Sequence, residues 1–256
     1  MRISIDTEAR TFTIEDGGTR RTLDLFGKEA FELISSLWLK TSWNQKYPYT
    51  FSWMGRPIIQ HPEDLVRLQE VIYTLNPDVI IETGVAHGGS LIFYASLMKA
   101  MEQGRTVVGV DLEIRPHNRA AIEKHELYPV LRLIEGNSVA PEIVAQAASH
   151  LRKGDKVLVI LDSNHSRAHV AAELEAYHQF VTPGSYIVAT DGIMREVADV
   201  PRGTPEWRLD NPAQAAEDFA TRHPEFVIES PPWRFNESDL DQNITAWPSA
   251  WLKRRP

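Results

Sequence analysis

The sequence predicts an α/β fold: a doubly wound, mainly parallel sheet with a small N-terminal β/α addition. Three observations carry this. From His61 onward, short Val/Ile-rich runs alternate with segments of helical spacing: DVIIE (78–82), TVVGVD (106–111), VLRLIEG (130–136), KVLVILD (156–162) and SYIVATD (185–191). The runs are apolar on both faces, as parallel strands covered by helices on each side must be. Finally, 256 residues, 43% of them hydrophobic, are enough for one large core.

The spacing divides the chain into an N-terminal unit, 1–60, and a sheet domain, 61–256. Residues 2–25 alternate apolar and polar around Gly17-Gly18 and predict two or three short antiparallel strands. Helical spacing follows over 27–40, with Phe31, Ile34, Leu37 and Trp38 on one face. Residues 41–57, TSWNQKYPYTFSWMGRP, are aromatic and unperiodic and read as an ordered loop, either a lid or a cap on the core edge. Pro62 suits the first turn of a helix running to Leu75, with Glu63 and Asp64 favourable at the positive end of its dipole. Helices are expected over 91–101 and 116–125, between the third and fourth runs, and from the fourth run through Phe180. Beyond Asp191 the rhythm breaks: 192–210 reads as a long loop, 211–222 as a helix, FVIES (226–230) as a strand, and 244–255 as a final strand pair interrupted by Pro248.

Composition excludes several classes of function. Lys plus Arg number 27 against 35 Asp plus Glu, a formal charge of -8, which argues against a nucleic-acid partner held by phosphate neutralisation. With no cysteine there is no disulfide framework, thiolate-ligated metal or Cys nucleophile. No apolar stretch approaches the ~18 residues of a spanning helix, and MRISIDTEAR lacks the apolar core of a signal peptide. A cytoplasmic protein without a membrane partner is expected.

In an open parallel sheet, ligands bind beyond the carboxyl ends of the strands. Four of the five runs end in or next to an acid there: Glu82, Asp111, Asp162 and Asp191; Gly136-Asn137-Ser138 follow the other. After Glu82 comes TGVAHGGS, in which Gly84, Gly88 and Gly89 allow close backbone approach and Ser90 opens the next helix. The spacing E-x-G-x-x-x-G-G-S differs from the dinucleotide fingerprint. An acid ahead of the turn suits a cationic sulfonium or amino acid better than a diphosphate, and Asp111 is placed to accept both hydroxyls of a ribose. Together they point to S-adenosylmethionine. Glu82, Thr83, Gly84, Gly89, Ser90, Asp111, Asn137 and Ser138 are the expected cofactor-binding residues.

The run FSWMGRPIIQHPEDLVRLQEVIYTLNPDVIIETGVAHGGSLIFYAS, followed by VVGVD, EGNS and VLVILDSNHSRAHVAAELEAY, resembles the cephalosporin hydroxylase family over roughly residues 50–191, with a weaker match at WLKRR. The resemblance implies a Rossmann-like class I methyltransferase fold, dependence on S-adenosylmethionine, and O-methyl transfer to a small molecule such as a deoxysugar. It implies a divalent metal, usually Mg2+, held by Asp162 and Asp191, hard oxygen donors of the kind magnesium prefers. Members of that family usually carry Glu-Asp where this chain has Thr190-Asp191, so the metal binds more weakly, recruits water there, or is absent. His165 matches a histidine proposed as general base, a role its chemistry suits, and His165 with Asp162 forms the expected catalytic pair.

His165-x-x-x-His169 lacks the Glu and the third ligand of a zinc protease motif, and His169 is expected to face solvent or pack its helix rather than take part in catalysis. His87 either touches the cofactor or fills the turn. Tyr49, Phe51 and Trp53 are expected over the acceptor, and the 192–210 loop beside it. The partner expected is a small-molecule hydroxyl acceptor, in a homo-oligomer. Rival readings are a non-catalytic binding partner of another enzyme, which Thr190 keeps open, and a nicotinamide-dependent dehydrogenase, which the glycine spacing disfavours.

Overall fold

The computed structural model describes residues 2–256. Strands β1 (Arg2–Asp6), β2 (Thr11–Asp16) and β3 (Thr19–Asp24) form an antiparallel meander. Gly17 and Gly18, both at positive φ, make the two-residue turn between β2 and β3. Helix α1 (Lys28–Asn44) runs four residues beyond the expected Lys40. The expected apolar face is not its buried one. Phe31, Ile34 and Leu37 are 36–39% exposed, and burial falls on Ala30, Leu39 and Ser42. Trp38 alone of that face turns inward, edge-on to Tyr47 and His61.

The expected loop at 41–57 is more ordered than its composition suggests. The end of α1 is followed by a 3-10 turn (Tyr47–Thr50) and a hairpin of β4 (Phe51–Trp53) and β5 (Arg56–Ile58). Met54 and Gly55 take positive φ in the hairpin turn, a conformation that Asn-Gly announces and Met-Gly conceals. Helix α2 (Pro62–Leu75) has the expected bounds and ends at Asn76 in the left-handed conformation.

The main sheet contains β6 (Val79–Thr83), β7 (Thr106–Asp111), β8 (Leu131–Glu135), β9 (Val157–Leu161), β10 (Tyr186–Ala189), β11 (Phe226–Ile228) and β12 (Trp251–Arg254). Their spatial order is β11-β12-β10-β9-β6-β7-β8. Strands β6 to β10 pair in parallel, and β12 inserts antiparallel between β10 and β11. The linking helices are α3 (Gly89–Ala100), α4 (Pro116–Glu123), α5 (Pro141–Ala148), α6 (Arg167–Tyr177) and α7 (Pro212–Arg222).

Strict alternation along the strands feeds two cores. Ile80, Leu158, Ile160, Tyr186 and Val188 pack with α2 and α3. Val79, Ile81, Val157, Val159, Leu161, Ile187 and Ala189 pack with α6 and α7 on the other face. The final strand pair is not formed: only Trp251–Arg254 is strand. Pro248, which has no N–H to donate, and Ser249 at φ 57° instead turn the chain while Trp247 is buried beneath them. The segment 192–210 holds two 3-10 turns, Gly192–Arg195 and Pro205–Arg208. Among the described residues no helix is long and apolar enough to cross a membrane.

Candidate active site

Strand order reverses on either side of β6, so its carboxyl end, beside that of β9, opens the crevice of a doubly wound sheet. The backbones there are in contact. Gly84 sits at φ +93°, and a Cβ on it would lie 2.0 Å from the Asp162 carbonyl oxygen; one on Gly89 would lie 2.1 Å from that of Pro57. These two glycines are required by the protein's own packing. Beneath them, the fully buried Glu82 accepts hydrogen bonds from Ser90 Oγ (2.6 Å) and Tyr94 Oη (2.7 Å). Burial, reinforced by the nearby Asp162, pushes its carboxyl up to about 8. Glu82 and the equally buried Thr83 line neither neighbouring cavity, so the expected direct contacts with a cofactor are not available to them. Glu82 lies inside the strand and Thr83 is its last residue, and both are fully buried.

One cavity lies over the ends of β7 and β8, walled by Gly84, Asp111, Asn137, Ser138, Asn164 and His169. Asp111 Oδ2 accepts from the backbone N–H groups of Val85 (2.8 Å) and Ala86 (3.0 Å), fixing the glycine loop. Its Oδ1 takes only a long 3.3 Å bond from Glu113 N. That half-buried carboxylate, in a cavity edged by amide and hydroxyl groups, fits the diol of a nucleoside. Ser138 Oγ is committed inward to the buried Glu173 (2.5 Å). His87 fills its turn: Nδ1 is 3.4 Å from Asn118 Oδ1, and its carbonyl accepts from Arg56.

A second cavity, lined by Tyr49, Gln60, Ser90, Asp162, His165 and Asp191 among others, adjoins the first across Gly84 and Ser163. One ligand atom from each of Asp162, His165 and Asp191 lies within 4.8 Å of the other two, and His165 Nε2 is 3.6 Å from Asp191 Oδ2. Asp162 is held by neutral donors: Thr190 Oγ1 at 2.6 Å from Oδ1 and Gln60 Nε2 at 2.9 Å from Oδ2. Burial and the neighbouring Asp191 raise its carboxyl to about 7. Among the described residues neither aspartate has a Lys or Arg partner. Two hard carboxylates without a compensating cation fit a divalent ion. The absent family carboxylate is replaced by a buried hydroxyl that orients Asp162.

A third cavity opens beyond Asp191 and His165, with Trp43, Tyr49, His61, Arg202 and Trp207 in its wall. Trp43 meets Trp207 edge-to-face at 5.3 Å, and the Arg202 guanidinium lies over Trp43. Of the three expected acceptor aromatics only Tyr49 is here. Phe51 packs on Tyr47, while Trp53 packs on Phe93 and donates to Ser96 Oγ, because the hairpin lies across α3 and turns its alternate residues onto that helix. Trp43, Gln60, His61 and Trp207 were missed. They sit before or beyond the strand-end motifs, and only the folded chain brings them to the crevice. His169 turns away from His165, toward Ser138 and Glu173.

A family model described as Rhamnosyl O-methyltransferase/CmcI matches residues 45–255. A rhamnosyl O-methyltransferase of Mycobacterium leprae (strain TN) is 32% identical over 154 residues, 60% of this chain and 65% of that protein. One of Mycobacterium tuberculosis (strain ATCC 25618 / H37Rv) is 30% identical over 142 residues, 55% and 56% of the two chains. The match thus spans less than two-thirds of these relatives' length. Among solved structures, an apo form of CmcI superposes with a TM-score of 0.55 at 15% identity, over 81% of this chain and 77% of that one. An O-methyltransferase from Bacillus cereus in complex with SAH gives 0.50 at 16% identity, over 75% and 81%. These two likenesses show the class I methyltransferase fold.

Proposed function

The chain belongs to the Rhamnosyl O-methyltransferase/CmcI family, and from that membership we propose that it transfers a methyl group from S-adenosylmethionine to a hydroxyl of a sugar or sugar-bearing small molecule. The observation that carries the reading is the meeting of Asp162, His165 and Asp191 between a cavity walled by Asp111, Asn137 and His169 and an aromatic one. When bound, S-adenosylmethionine supplies an electrophilic methyl on a sulfonium, and a divalent cation lowers the pKa of a neighbouring hydroxyl. Asp111 would hold the ribose, with the Gly84–Ser90 loop beside it, and Asp162 and Asp191 would hold the cation.

His165 stands where the second and third cavities join and takes the proton from the acceptor oxygen, and the carboxylate of Asp191, 3.6 Å from Nε2, stabilises the imidazolium that results. Thr190 and Gln60 fix the rotamer of Asp162, so the reacting groups are held before the acceptor arrives. Trp43 and Trp207 supply apolar faces for the C–H side of a pyranose ring, and the cavity walls exclude water. The direct test is transfer of radiolabelled methyl from S-adenosylmethionine to methyl α-L-rhamnopyranoside with Mg2+. Transfer lost on chelation, and lost in His165→Ala with cofactor affinity intact, is expected. A cofactor-binding protein that transfers to no sugar, or full turnover by His165→Ala, refutes the reading or removes its base.

A further inference from the structure

The reaction leaves unused a buried group at the back of the nucleoside-side cavity. Glu173, one turn beyond His169 on α6, is fully buried. Its Oε1 gathers Ser138 Oγ at 2.5 Å, Ser163 Oγ at 2.7 Å and His169 Nε2 at 3.3 Å, while Oε2 has no protein partner. A carboxylate so withdrawn from water holds on to every donor it has, so the Nε2 proton of His169 is directed at it. The contact with Glu173 raises the imidazole above its ordinary range, and in the neutral ring, present above that range, the lone pair is on Nδ1. Among the described residues Nδ1 has no hydrogen-bond partner, and the ring is part of the wall that Asp111 and Asn137 share. Of the other side chains of this wall, Asp111 is the one suited to the ribose diol, Asn137 Oδ1 accepts from Val139 N, Asn164 Oδ1 accepts from Ser166 N, and Ser138 Oγ donates to Glu173 and lies 3.1 Å from His169 Nε2.

We propose that His169 recognises the base of the nucleoside, its Nδ1 accepting a hydrogen bond from the exocyclic 6-amino group of adenine while Glu173 and Ser138 fix the ring's tautomer and orientation. This rests on the reading of the cavity as an S-adenosylmethionine site.

The test is calorimetric titration of S-adenosylhomocysteine and S-inosylhomocysteine, whose 6-oxo group only accepts, into the wild type and His169→Phe. The wild type is expected to prefer the adenosyl ligand at least tenfold, and His169→Phe to bind it about tenfold more weakly while binding the inosyl ligand within threefold of wild type. Equal binding of the two by the wild type, or a preference that survives in the folded variant, overturns the assignment. If His169→Phe does not fold, 15N NMR of the wild-type imidazole decides. An Nδ1 resonance that moves with the adenosyl but not the inosyl ligand supports the proposal, and one indifferent to both overturns it. A wild type that binds neither ligand defeats the cofactor reading itself, a separate result.

Discussion

Replacing Glu82 by Gln tests the account of the glycine loop at its base. The carboxyl is fully buried and titrates near 8 in the folded protein, against an unperturbed 4.5. The native state therefore binds a proton that the unfolded chain has released across the window from about 4.5 to 8. Stability contributed by this group is present at low pH and falls as pH rises through that window. At 1.36 kcal/mol per unit of pKa, the loss between pH 6 and pH 8 is on the order of 2 kcal/mol. Gln keeps the shape, can accept from Tyr94 or Ser90, and cannot ionise. Urea unfolding at pH 6 and pH 8 should show the wild type losing roughly 2 kcal/mol more than Glu82→Gln over this interval. Asp64 and Asp162, both raised to about 7 with burial as the largest cause, drive a further loss of the same sign in both proteins, so the difference reports residue 82 together with its interaction with Asp162. Equal pH slopes would refute a buried, protonated Glu82.

Three other outcomes follow from the same geometry. Thr190→Val removes the donor 2.6 Å from Asp162 Oδ1 without changing the volume much; urea unfolding should show a loss of about 1–3 kcal/mol, with methyl transfer slowed, and an unchanged midpoint would deny the bond. Gly89→Ala drives a Cβ to 2.1 Å from the Pro57 carbonyl, which as backbone cannot rotate away. Calorimetry should show a melting point several degrees lower, for a cost of roughly 1–3 kcal/mol. Trp207→Ala removes half of the edge-to-face pair at 5.3 Å; acceptor KM should rise about tenfold while titration of S-adenosylhomocysteine stays the same, in line with the ~1 kcal/mol of an aromatic contact.

The sheet was legible because its strands are apolar on both faces and no other element has that pattern at that length. Helix α2 was legible because Pro62 and the first-turn acids mark its start. The hairpin at Phe51–Ile58 was not, since Met54 adopts a conformation its type does not signal. The inward face of α1 was misread because apolar periodicity identifies a stripe but not what covers it: Phe31, Ile34 and Leu37 form the stripe, yet the helix rests on Ala30 and Leu39. The acceptor wall was hidden for a topological reason. Trp43, His61 and Trp207 come from segments far apart in sequence, and no local spacing connects them to Asp191.

The acids at the strand ends show how finely such a reading can be pushed. All four looked alike in sequence, yet their places relative to the strand ends separate their tasks. Ile80 packs against the layer of α2 and α3, so with the period of two Glu82 must face that layer as well, and it meets Ser90 and Tyr94 of α3. It is also paired on both sides, with Gly109 and Ile160, inside the sheet. Asp111 is the last residue of its strand, and Asp162 and Asp191 lie one and two residues beyond theirs, where the chain leaves the pleat and a side chain can turn to the crevice. Position relative to the strand end therefore divides the acids into one inside the sheet that braces the loop from beneath and three at or beyond the strand ends that border the cavities.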